Sequence, residues 1–555
     1  MHQSRITLGA ALLLLVTAAA PSHAQWALNG VLVSSTDGSH RSPIVAPDGT
    51  GGAFIVWWST GPSGPSLREV LVSHLLPDGR VAPGFPAAGL PVVADTTTRN
   101  LQGAGSDGDH GVVVGWAEPT RAAATRLLGD GTRAPGWSAI GNEVALRGRP
   151  SMGFCADGSG GGWFWSREDI SFCPDICYNS STMYADHVGP SGVVDSSPYA
   201  FATTPYYGAA QGSIRPAANG SGFMVGLGGD GVANDIHRVI VPNHGQWSLT
   251  LDMPHGIIDA AVDDGAGGVL LMTQGSFGLL PERLLHLTAS GGQDPAWPAG
   301  GVPVWSPDTT FYHFAAIAVD AGSMLVGWIQ DGASGAEVRV KKFSSSGSLA
   351  PGWPAEGIVV CDAPGPRDEL VLAGDGSGGA FVAWRDGRDS SAGDVYAHRV
   401  RADASLDPTF GTNGLGVATL HAGVLELSLA ATGPGEAVLA WSDQRSHAEI
   451  RAQKLPLPGT LSVDPGPRAS IALAGFVPNP SRDGCPRIAF TLARSGDVSL
   501  DVFDVLGRRV HTERLAGASA GPHTLTLARP LPAGLYEMRL REGAQSSTAR
   551  GMVRR

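Results

Sequence analysis

Asp375-Gly376-Ser377-Gly378-Gly379-Ala380-Phe381-Val382-Ala383-Trp384 is a turn followed by an apolar run that ends on tryptophan. Asp-Gly supplies the positive φ angles that a tight hairpin demands, and apolar and aromatic residues after it read as a buried strand, so the stretch predicts strand, turn, strand. Near copies begin at Asp48, Asp157 and Asp264, with weaker ones at Asp107, Asn219, Asp320 and Thr432. Tryptophan closes the run at Trp57, Trp116, Trp165, Trp328, Trp384 and Trp441. The gaps are 59, 49, 163, 56 and 57; since 163 is about three times 54, two copies with degenerate endings fit between Trp165 and Trp328. Eight copies result.

A third short strand follows each copy, as at Val395-Tyr396-Ala397-His398-Arg399-Val400, whose alternation suggests one buried and one wetter face. Then comes a second motif, aromatic, three residues, Gly, two residues, Val. It runs from Phe85 to Val92, Trp137 to Val144, Trp297 to Val304, Trp353 to Val360 and Phe410 to Val417. Each period thus holds four strands in about 55 residues, the size of a propeller blade. After the eighth copy the chain has a third strand near Glu449 to Leu455 and then leaves the pattern at Pro456-Leu457-Pro458-Gly459. The missing fourth strand is at the other end, where Trp26-Ala27-Leu28-Asn29-Gly30-Val31-Leu32-Val33 matches the second motif position for position. The expectation is an all-β chain whose residues 25–460 form an eight-bladed propeller closed by the N-terminal strand, which leaves no open sheet edge.

Composition agrees. Of 555 residues, 78 are Gly and 40 Pro, about 21% together, while 43% are apolar and 16% charged, so neither disorder nor a charged coiled coil fits. His2 and Arg5, the apolar run Ile6 to Ala20 and Pro21-Ser22-His23-Ala24 read as a signal peptide over residues 1–24, cleaved after Ala24. The run is too short for a transmembrane anchor, and no later apolar segment spans a bilayer, so the mature chain is expected outside the cytoplasm. Five cysteines do not make a disulfide scaffold. Cys155, Cys173 and Cys177 lie in one segment and predict a bridge from Cys155 to one of the other two; zinc on the Cys173–Cys177 pair lacks its remaining ligands.

From about Ser462 the repeat is gone and the charge flips, with Pro465-Gly466-Pro467 as the linker. Residues 462–555 hold 13 Arg and no Lys against 8 acidic residues, a balance of +5; the whole chain is −12 and Arg5 leaves with the signal, so the repeat region carries −12 − 5 − 1 = −18. The segment reads as a small β-sandwich of about seven short strands over residues 461–555.

Leu406-Asp407-Pro408-Thr409-Phe410-Gly411-Thr412-Asn413-Gly414 resembles the delta-60 repeat of large secreted bacterial proteins, and the DGSGGAFVAW units are similar to those of bacterial surface propellers. In the last module Asn479-Pro480 after Pro478, Val498 to Val510 with Gly507, and Leu531-Pro532-Ala533-Gly534-Leu535-Tyr536, with a basic end at Arg550 to Arg555, resemble the type A sorting domain of the type IX secretion system. That resemblance implies recognition by the secretion machinery, delivery to the outer-membrane surface or the medium, and removal of the domain; an immunoglobulin-like accessory domain is the alternative.

Chemistry is not legible in the repeat. Asp386-Gly387-Arg388-Asp389 and Asp443-Gln444-Arg445 recur after successive tryptophans and read as Asp–Arg contacts holding adjacent blades. Asp107-Gly108-Asp109-His110-Gly111 lacks the further oxygen ligands of a calcium loop and reads as a turn. No G-x-S-x-G elbow, H-E-x-x-H helix or P-loop occurs, so no catalytic residue, cofactor or metal ligand is expected. The acidic repeat region disfavours nucleic acid. Two readings remain, a binding propeller for a glycan or protein ligand and a secreted glycan-active hydrolase or lyase working from irregular loops. Both direct attention to the loop carrying Tyr199, Tyr206 and Tyr207.

Overall fold

The computed structural model describes residues 26–554 except 28, 35–37, 61–67, 94–96, 145–150, 173–177, 195–198, 206–210, 217–221, 230–233, 240–245, 252–256, 265, 267, 275–281, 291, 299, 306–310, 321, 390–391, 445–447, 457–471, 477–480, 482–484, 493–495, 506, 519–520, 528 and 543–544. The chain is all-β, with a three-residue 3₁₀ turn at Pro408–Phe410 among the described residues. It divides into two compact units, residues 1–461 and 462–555.

The first unit holds eight antiparallel sheets of four strands. In chain order, sheets one to seven occupy residues 39–91, 100–144, 151–205, 211–251, 257–303, 311–361 and 367–418; the eighth occupies 425–455 and takes Val31–Leu32 as its fourth strand. Within sheets one to seven the strands follow in sequence order, each antiparallel to the one before it, the first two joined by a short connection. The first strands of consecutive sheets pack on one another in a closed cycle, from Ser39–Pro47 of sheet one through each sheet to Leu425–Gly433 of sheet eight and back to Ser39–Pro47.

Closure runs through the N-terminal strand. Val31 pairs with Ala452 and Leu32 with Arg451, the Val33 amide donates to Ile450 O at 2.9 Å, and Thr419 N donates to Asn29 Oδ1 at 2.8 Å. Trp26 is buried, and its indole donates to Pro77 O of sheet one at 3.1 Å. The same stitch recurs wherever the second motif has a tryptophan: Trp137 donates to Pro190 O, Trp297 to Ser345 O and Trp353 to Ala402 O, each in the next sheet. An aromatic there fills the gap between sheets while its N–H finds a turn carbonyl as partner.

The glycine of the second motif has a physical cause. Gly89 has φ +91°, and a Cβ on it would lie 2.6 Å from the ring of Trp57 in the same sheet. Gly30 over Trp441, Gly141 over Trp116, Gly357 over Trp328 and Gly414 over Trp384 repeat the contact. One reading of the periodicity changes here: Ser166, not Trp165, stands at the register place of the repeat tryptophan. Ser166 pairs with Ser151 as Trp116 pairs with Leu101, and Trp165 turns its half-buried ring to the other face, against Gly153.

The second unit packs a three-stranded sheet (Ala472–Phe476, Arg487–Leu492, Gly521–Thr526) on a four-stranded one (Arg509–Ala518, Gly496–Asp504, Gly534–Glu542, Gln545–Val553). Ile488, Phe490, Val498, Leu500, Val502, Met538 and Leu540 meet between them.

Candidate functional site

Two repeated devices organise the polar residues of the first unit. The first is the turn carboxylate. Asp48 Oδ1 accepts from Thr50 N at 2.7 Å and Gly52 N at 2.9 Å, and Asp107, Asp157, Asp264 and Asp375 each accept from the amides two and four residues on. The second oxygen meets a base on the third strand of the sheet: Asp48 with His74 at 3.0 Å, Asp107 with Arg126 at 2.8 Å, Asp157 with His187 at 2.9 Å, Asp264 with His286 at 2.9 Å and Asp375 with Arg399 at 2.8 Å. Sheets six and eight place Lys342 on Asp320 and Lys454 on Glu436 instead. Burial raises the Asp48 pKa, but its bonds from His74, Thr50 and Gly52 outweigh that and hold it at about 2. Asp157 and Asp375 are likewise held below the ordinary carboxylate range, burial opposing and hydrogen bonds prevailing. These carboxylates are fully engaged by the fold. Asp107 is one of them, so the stretch from Asp107 to Gly111 is a turn, and His110 donates to Asp48 O of sheet one at 2.9 Å.

The second device is a bulge in the first strand. Ser42, Gln102, Met152, Asp259, His313, Glu369 and Glu426 sit at register shifts of seven sheets, beside the place of the repeat tryptophan. Four of them take left-handed backbone: Ser42, His313 and Glu369 at φ +52° and Glu426 at +47°. A bulge re-aims the side chain it carries, and such strain in non-glycine residues persists only where surrounding structure enforces it. Neighbouring sheets meet at this level: Ser42 N donates to Glu426 Oε2 at 2.8 Å, Ser42 Oγ to Glu426 Oε1 at 3.2 Å, and Trp58 Nε1 to Ser42 Oγ at 3.1 Å. Since the first strands form the cycle, the seven bulges define a level within it at which the residue type changes from sheet to sheet. Sequence reading missed this level. The available signal was a polar residue 15 positions before the tryptophan, as in Ser42, His313, Glu369 and Glu426.

Asp386 binds within and between sheets. It accepts from Arg388, from the Trp384 indole at 2.8 Å and from Arg367 Nε at 3.0 Å, and Arg367 reaches Ala336 O of the preceding sheet. Asp443 faces Arg451 at 3.4 Å; Arg445 lies outside the described residues. Among the described residues no group of three His, Cys, Asp or Glu is placed to hold a metal ion.

Other expected positions are scattered. Cys155 is buried on Ser151–Ala156, while Cys173 and Cys177 lie outside the described residues, as do Tyr206, Tyr207, Asn479, Pro480 and the signal segment. Tyr199 begins the strand Tyr199–Pro205. In the second unit Gly507 takes φ +74° in the turn after Asp504, and Gly534 opens a strand. Tyr536 is buried and donates to Pro532 O at 2.8 Å, tying Leu531-Pro532-Ala533-Gly534 to its strand.

Residues 476–554 match the model of the secretion system C-terminal sorting domain family. No curated protein matches the chain. Among solved structures, a prolyl endopeptidase is similar at 13% identity and a TM-score of 0.42, over 75% of this chain and 54% of that one. A protein of unknown function from Dyadobacter fermentans is similar at 8% identity and 0.32, over 77% and 97%, and the NanB sialidase of Streptococcus pneumoniae at 11% and 0.27, over 77% and 70%. This chain spans about half the length of the endopeptidase. At these scores the likeness identifies neither site nor activity. Among the described residues no helix is long and apolar enough to cross a membrane.

Proposed function

We propose that this chain is an exported binding protein: an eight-bladed β-propeller of delta-60-like repeats, cleaved after Ala24 and delivered to the cell surface or medium by a C-terminal immunoglobulin-like sorting domain. The observation that carries the reading is the sorting-domain match at residues 476–554 behind a unit of eight four-stranded sheets packed in a cycle. A repeating frame whose bulge residues vary between sheets, from Ser42 and Gln102 through Met152 and His313 to Glu369 and Glu426, suits recognition better than a fixed catalytic set. The repeated carboxylates are held in turn and ion-pair roles, which leaves them no part in acid or base catalysis.

The ligand is a glycan or a protein, met at the bulge level and at Tyr199, Tyr206 and Tyr207. The type IX machinery is the partner of the second unit. Two measurements test the reading. Full-length chain expressed in a type IX-competent host is expected on intact cells, sensitive to added protease, while a chain ending at residue 475 stays in the periplasm; equal delivery of both contradicts export by this domain. Purified mature chain on a glycan and peptide array, alongside a hydrolase and lyase panel, is expected to bind without turnover. Turnover of any substrate replaces the binding reading with the enzymatic one.

A further inference from the structure

One face of the second unit carries exposed apolar side chains among arginines. The inward side chains of its four-stranded sheet fill the core, whereas Leu535, Glu537, Arg539 and Arg541 alternate outward on Gly534–Glu542. Leu535 pairs with Met552, and Val505 follows Asp504, the partner of Tyr536, so Val505, Leu535 and Met552 gather at one end of that face. They are 72%, 44% and 37% exposed. With Val510, four of the nine exposed large apolar side chains among the described residues fall in this unit of 94 residues.

Arginine surrounds them. Arg539 pairs across the sheet with Asp501 and Arg550 with Glu537, while Arg514 and Arg541 flank Ser499. Arg509 and Asp501 stand 3.7 Å apart, and Arg539 and Arg550 each stand 3.9 Å from Glu537. Arg539 also lies over the Phe503 ring at 5.3 Å. Five arginines thus share the face with two acids. A polyanion would use the arginines and leave the apolar cluster wet; a protein surface uses both, since Arg and Met are among the side chains enriched where proteins meet.

We infer that this sheet face is the docking surface of the sorting domain, and that its occupant is an acidic protein surface of the export machinery, which seats an apolar residue on Val505, Leu535 and Met552 and carboxylates on Arg514, Arg539 and Arg541. The proposal rests on the sorting reading above. Complementary charge speeds and orients the encounter, and the apolar cluster holds it.

The test uses the full chain in a type IX-competent host, with the surface fraction read by protease treatment of intact cells. Arg539→Glu with Arg541→Glu, and Leu535→Ser with Met552→Ser, are each expected to lose most of the surface fraction, while Arg539→Lys with Arg541→Lys keeps it. Because a double substitution can disturb the sheet, Thr512→Glu with Thr548→Glu, two exposed positions on the same face, is expected to block delivery at an unchanged melting temperature. Normal delivery of all three disruptive pairs overturns the proposal. A parent chain that stays inside sinks the sorting reading and this surface with it, whereas a delivered parent with delivered variants sinks the surface alone. The purified chain is not expected to sediment with phosphatidylglycerol vesicles; sedimentation abolished by Arg539→Glu with Arg541→Glu would assign the face to lipid and overturn the protein occupant.

Discussion

Gly89 shows what the repeat costs a single residue. Its φ of +91° and the 2.6 Å that would separate its Cβ from Trp57 act against any side chain. Gly89→Ala is therefore expected to destabilise by about 2–4 kcal/mol, strain and overpacking together, as read by urea denaturation. An unchanged midpoint would mean the tryptophan moves away freely. Asp48 gives a pH signature. Its folded pKa of about 2 lies below the ordinary 3.8, so its stabilising contribution is complete above about pH 4 and is lost as pH falls toward 2. Asp48→Asn is expected to be less stable than the parent by about 1–3 kcal/mol at pH 5, with the gap closing by pH 2. A gap that persists at pH 2 would show that the loss came from packing. The turn glycines were legible because glycine adopts those angles at the least cost, His110 being a non-glycine exception at φ +64°, whereas the carboxylate's second partner was not, since His74, Arg126, Lys342 and Arg399 share a place but no single residue type.

At the scale of the strand, Trp26 to Val33 could be assigned from sequence because it copies a motif whose every position has a packing reason. The bulges were harder, because a bulge is a backbone event: Ser42, His313, Glu369 and Glu426 share polarity and a place 15 positions before the tryptophan, but Gln102 stands 14 before it and Met152 is apolar. Trp165 was misplaced by the same logic, since an apolar run ending in tryptophan does not reveal a one-residue slip, and a slip of one turns a side chain to the other face. Trp26 belongs to the eighth sheet yet bonds to Pro77 of the first, and its ring covers Gly79. Trp26→Ala is expected to cost about 3–5 kcal/mol and to lower the melting temperature of the first unit as a whole. Removing residues 26–34 should lower it further, by also exposing the edge of Glu449–Leu455.

For the whole molecule, periodicity carried the count of sheets across the stretch between Trp165 and Trp328, although sheets three, four and five lack a tryptophan at the register place that marks the others. What the period could not give is the ligand, because the level where sheets differ is by construction the part that does not repeat. The account stands on a ring whose last sheet is finished by the first strand. Leu32 and Arg451 are strand partners 419 positions apart in the sequence, so cysteines placed at both should meet only if the ring closes there. The decisive measurement is mass spectrometry of the oxidised Leu32→Cys, Arg451→Cys chain. The account predicts a single intrachain disulfide joining the peptides that contain positions 32 and 451; two unlinked thiols at those positions would contradict it.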